Sequence, residues 1–132
     1  MRCAGFLLLP LLAASCSSSQ SAASPSACQS PSAALLARIT ELAPAGSGFT
    51  VRASAGQKAA THANAYWVGV SFGVARSATA LTGIWAVGGG LDGKGTILAV
   101  DPVAKQWSRA FDAARSASKI ADTEGQEVLR CL

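Results

Sequence analysis

The chain has few residues with which to build metal or acid–base chemistry. Its 132 residues include one histidine, seven acidic residues and four cysteines. His62 and the widely separated cysteines do not make the closely spaced ligand set that a metal site needs, so no metal and no cofactor is expected. Asp92, Asp101, Asp112 and Asp122 stand at turns or helix starts, where capping accounts for them. No two acids are placed as a general acid–base pair. Eleven basic residues give a net charge of +4, but they are scattered, without a run or a stripe, so a nucleic-acid partner is not supported. No apolar stretch reaches the roughly 20 residues of a membrane-spanning helix. The longest downstream of the N-terminus, YWVGVSFGVA and GIWAVGGG, are interrupted by glycine and read as strands.

The N-terminus holds the strongest positive signal. In MRCAGFLLLPLLAASC a single charge, Arg2, precedes an apolar run from residue 4 to residue 14, and the small residues Ala13, Ala14 and Ser15 lead into Cys16. A charged start, an apolar run of about 7–15 residues and a small-residue cleavage site make a secretory signal, so residues 1–15 are expected to be a signal peptide. The next residues, SSSQSAASPSA, carry neither charge nor apolar periodicity and cannot bury enough surface to order themselves. Residues 16–29 are therefore read as the mature N-terminal cysteine with a flexible tether, and residues 30–132 as a single domain.

The segment LLAASC resembles the lipobox of bacterial lipoproteins, in which small residues precede a cysteine that is acylated and becomes the new N-terminus. Ala13 stands where that family prefers leucine, and Leu12 lies one place further out. The resemblance implies lipidation of Cys16 and a membrane as partner through that anchor, on the outer face of the cell. Two or more acyl chains give stable anchoring where one is marginal. Cleavage at an ordinary A-x-A-like site would leave the same Cys16 without lipid. The overall pattern is similar to the small lipoproteins of actinomycete-like bacteria.

With Cys3 lost with the signal and Cys16 assigned to lipid, Cys28 and Cys131 remain. In an oxidising compartment they are expected to form a disulfide; two separate thiols are the alternative. The bridge would tie the ends of the domain together and close a loop of roughly 100 residues, which the chain-entropy model values at about 4–5 kcal/mol.

Within the domain, Ser30-Pro31 suits a helix cap and first turn. Leu35, Leu36, Ile39 and Leu42 follow at helical spacing, and Pro44 and Gly46 end the run. This predicts a helix over 31–43. The period then becomes two. Phe49, Val51 and Ala53 alternate with polar residues. Tyr66, Val68, Val70, Phe72 and Val74 share one strand face, and Trp67, Gly69, Ser71 and Gly73 share the other. A glycine face admits close approach by another backbone or a bulky side chain. ALTGIWAVGG and TILAVD supply two more strands around a glycine-rich hairpin loop, read as mobile, with Asp92-Gly93 as its turn signal. Asp101-Pro102 repeats the cap-plus-proline start, with Val103, Trp107 and Phe111 as a helical stripe. Thr123 and Gln126 resemble a capping box for a last turn that delivers Cys131. The expectation is an α+β fold: an N-terminal helix, a four-stranded antiparallel sheet, short C-terminal helices and helices on one face.

Two motifs resemble catalytic or nucleotide-binding signatures. Gly69-Val70-Ser71-Phe72-Gly73 matches G-x-S-x-G, but that motif needs a strand-to-helix turn and a histidine that follows the serine. Here it sits inside an alternating strand, and His62 precedes it. Gly88 to Gly95 nearly spells a phosphate loop, but Gly95 replaces the Ser or Thr and a strand follows in place of a helix. His62, in a polar stretch, reads as an exposed residue. The three tryptophans read mainly as core, with Trp67 singled out because it lies opposite the clean apolar face. The sequence therefore predicts a membrane-anchored, non-enzymatic extracytoplasmic lipoprotein that binds a protein, peptide or envelope component. Trp67, Gly90, Asp92 and Lys94 are its expected contact residues. A small serine hydrolase using Ser71 and a purely structural envelope protein are the alternatives.

Overall fold

The first element is a strand where a tether is expected. The computed structural model describes residues 27–132; the expected signal peptide, Cys16 and the first part of the expected tether lie outside the described residues. β1, Cys28–Gln29, pairs with β2, Thr50–Lys58, through Cys28 opposite Gln57 and Gln29 opposite Gly56. β3, Ala65–Gly73, β4, Leu81–Gly88, and β5, Ile97–Ala99, continue the antiparallel series. β6, Phe111–Asp112, then joins β5 in parallel. The sheet thus has six strands in chain order, and the expected four-stranded sheet is corrected to six. The α+β class and the closing disulfide stand. The two additional strands are the edges, two residues each, too short to show an alternating pattern.

Helix α1, Ala33–Glu41, is capped by Ser32, whose hydroxyl accepts from the Leu35 amide at 3.1 Å. The cap therefore lies two residues beyond the expected Ser30, because the Ser32 amide is itself held by the Leu91 carbonyl at 2.9 Å. Leu35 and Ile39 are buried against Val68, Val70, Phe72 and Trp85, the predicted apolar face of β3 and its neighbour on β4. Phe49 stacks on Phe72 with ring centroids 4.2 Å apart. A register shift between Val51 and Ala53 breaks the expected common face of Phe49, Val51 and Ala53. One extra residue in a bulge turns the strand over, so Ala53 pairs with Ser71 on the opposite face.

Helix α2, Pro102–Gln106, starts at Asp101 as read from the sequence. It ends before Phe111, which lies on β6 and is 60% exposed instead of completing a helical stripe. Both α-helices pack into the cluster containing Trp85. The opposite face is covered as well, by Ala113, Ile120 and Val128 over Trp67, Ile84 and Ala86. Helical segments therefore lie on both faces of the sheet, not one. Two 3-10 helices, Ala113–Arg115 and Gln126–Cys131, belong to this second layer. The capping box expected at Thr123 and Gln126 does not form; Gly125 holds the cap position and Gln126 donates to the Asp122 carbonyl.

Candidate functional site

The glycine face of β3 is covered by the chain's own C-terminus. A Cβ added to Gly69 would lie 3.2 Å from Val128 Cγ1 and 3.5 Å from Leu132 Cδ1. Gly125 lies against the Trp67 ring. The Cys28–Cys131 disulfide, with Cα atoms 5.7 Å apart, ties this last 3-10 helix to the edge strand. Trp67 is only 4% exposed, so it is a core residue of the second layer and not the partner-contact residue expected. Close approach to the glycine face was read correctly from the sequence; the approaching group is intramolecular.

Ser71 is half-buried in the middle of the sheet, between Ala53 and Thr82. His62 lies in the turn before the other end of β3, an end about 20 Å from Ser71 along a strand rising roughly 3.3 Å per residue. Its Nε2 lies 2.5 Å from Glu124 Oε2, and its ring stands edge-on to Trp67. The structure does not bring Ser71 and His62 together. It also makes His62 a half-buried link between the β2–β3 turn and the C-terminal segment, not the freely exposed residue expected.

The loop between β4 and β5 is docked onto α1, in contrast to the mobile hairpin expected. Arg38 Nη1 donates to the carbonyls of Gly93 and Gly95, at 2.5 and 2.6 Å. Leu91 packs into the main core and covers Gly56. Gly93, at φ +87°, passes so close to α1 that a Cβ there would meet the Leu35 amide nitrogen at 2.9 Å. Asp92 Oδ1 accepts from the Lys94 amide at 2.9 Å, an Asx turn at the loop tip. Of the expected contact residues, Asp92 and Lys94 are exposed and Gly90 is half-buried.

Beside this loop lies a groove of about 310 Å³ that the sequence did not indicate. It is bounded by the β2–β3 turn, the uncovered ends of β4 and β5, and the segment after the first 3-10 helix. Its apolar lining includes Ala86, Leu98 and Ile120. Its polar lining includes Asn64, Thr96 and Ser118, whose side chains make no hydrogen bond among the described residues. No Asp, Glu, Lys or Arg lines it, and His62 is its one ionisable neighbour. The loop and the groove are connected: Gly88 and Thr96 line the groove, and the Gly89 amide donates to the Asn64 carbonyl at 2.6 Å. Residues 112–122 have no clear period, which is why the wall they form was not legible. The stretch SKIA forms no strand; it buries Ile120 through a bond from its amide to the Ala113 carbonyl.

Among the described residues, the carboxylate with a perturbed pKa, Asp112, lies on the α2 side. The Ala114 amide donates to Asp112 and, with smaller contributions from Lys105 and Arg115, holds its pKa below the ordinary value. Among the described residues no three His, Cys, Asp or Glu side chains gather to hold a metal ion, and no helix is long and apolar enough to cross a membrane. No protein-family model, curated protein or solved structure matches this chain.

Proposed function

We propose that this chain is an extracytoplasmic binding domain, held at a membrane through lipid on Cys16 and acting by recognition rather than catalysis. The observation that carries the reading is the disulfide between Cys28 and Cys131, 103 residues apart in sequence. Such bridges persist outside the reducing cytosol, in keeping with export directed by residues 1–15. The described sheet begins at Cys28, so only residues 17–27 separate it in sequence from the proposed lipid site at Cys16. A pre-formed groove with an apolar floor and a few polar groups is the ordinary form of a ligand site.

The test is expression of the full chain in a bacterial host with labelled palmitate. The expected result is label in the protein, recovery in the membrane fraction and loss of both in Cys16→Ser. A chain that stays in the cytoplasm, with residues 1–15 attached and free thiols at Cys28 and Cys131, would overturn the reading. A serine-directed fluorophosphonate probe tests the catalytic rival, for which labelling abolished by Ser71→Ala would be the signature.

A further inference from the structure

We propose that the groove beside the β4–β5 loop binds a neutral, hydroxyl-rich ring, a saccharide unit of an envelope glycan. The assignment rests on the reading of the chain as an extracytoplasmic binding domain and names its ligand class. Three properties of the groove lead to it. The first is charge: the lining holds no Asp, Glu, Lys or Arg, and its one ionisable residue, His62, is already paired with Glu124, so no unpaired charge faces a phosphate, a carboxylate or an ammonium group, and an unpaired charge is costly to desolvate.

The second is the type of polar group. The Asn64 amide and the Thr96 and Ser118 hydroxyls each both donate and accept, and none has a protein partner among the described residues. Hydroxyls of a sugar ring are bifunctional in the same way. Ala86, Leu98 and Ile120 offer an apolar lining suited to the C–H face of that ring. The third is the backbone. One way a peptide ligand gains affinity is by pairing with an open strand edge. β4 lies between β3 and β5, so its main-chain groups are committed to the ladders and it offers a peptide no open β4 edge to extend. Its size, about 310 Å³, is at the lower end of small-molecule sites, about 300–1,000 Å³.

The experiment is an amide-shift titration of the mature full-length protein in a non-glycosidic detergent, with N-acetylglucosamine, cellobiose and trialanine blocked at both ends (N-acetyl, C-amide) as probes. Saturable shifts at Asn64, Thr96 and Ser118 with a saccharide, and none with trialanine, are expected. Thr96→Val, an exposed and nearly isosteric change, is expected to weaken binding about three- to tenfold, the loss of one net hydrogen bond. No shift with either saccharide at about 10 mM, where even weak sites begin to fill, would overturn the proposal. So would shifts at these residues with trialanine alone, which would mark a peptide groove. Failure of lipidation at Cys16 is read from the palmitate label and leaves this titration unaffected, so the two proposals fail separately.

Discussion

Asp101 does more than its place before Pro102 suggests. Its Oδ1 accepts from the Ala104 amide at 2.9 Å, which caps α2, and from the Ile84 amide at 3.0 Å, which fastens that cap to β4. Both bonds are buried, and the residue is 8% exposed. The capping role was legible, because aspartate before proline is a helix start. The second bond was not, since nothing in the local pattern brings residue 84 to residue 101. Asp101→Ala removes a cap and leaves a buried amide without its acceptor. The expected cost is about 2–4 kcal/mol, read as a fall of about 10–20 °C in Tm by circular dichroism. Asp101→Asn keeps an acceptor and should lose clearly less; equal losses would place the effect elsewhere. Asp112 adds a pH dependence of known sign. Its pKa is lower in the folded protein, so its contribution is present above the ordinary carboxylate range and is lost as pH falls through the folded-state value.

At the scale of elements, two interfaces hold the molecule's least regular parts. One is the contact of Arg38 on α1 with the carbonyls of Gly93 and Gly95. Arg38→Met should leave α1 in place and free the loop. Faster hydrogen exchange at residues 92–96, with the strands still protected, is the result that checks it. The other is the seat of the last 3-10 helix on β3. Gly69→Leu drives a side chain into Val128, Leu129 and Leu132 and should cost about 1–3 kcal/mol, with exchange at residues 126–132 rising first. Gly90→Ala is the control, because nothing lies within 4 Å of a Cβ there; its effect should stay within about 0.5 kcal/mol. A Gly69→Leu protein as stable as this control would mean that the helix is not seated on β3. β3, β4 and α1 were legible because their periods run for eight or nine residues, whereas in β2 the bulge at Val51/Ala53 interrupts the alternation. The edge strands and the 3-10 helix Ala113–Arg115 were not, because they run for two or three residues; the last turn, Gln126–Cys131, was legible, but its seat on β3 was not.

For the whole molecule the disulfide is the main constraint. It joins the first strand to the penultimate residue and so closes nearly the entire described chain. In the chain-entropy model a loop of about 100 residues is worth about 4–5 kcal/mol. Cys131→Ser, or reduction, should lower the unfolding free energy by an amount of that order, read as a downward shift of the urea midpoint. It should also loosen the C-terminal layer over Trp67 before the sheet opens. An unchanged midpoint would show that packing of Val128 and Ile120 holds the layer without the bridge.

The sequence alone determined the α+β class, the apolar face of β3 and the start of the helix at Asp101, and it led to the expectation of a Cys28–Cys131 bridge that the structure shows. Each depends on local spacing or on elimination, and local physics suffices for them. The tertiary structure decided what covers the glycine face, that the β4–β5 loop is pinned by Arg38, and where a groove remains open. Those depend on contacts between residues far apart in the chain. Trp67 shows the difference: its place opposite the apolar face was readable, but only the position of residues 125–132 decides whether that face meets solvent or a second core.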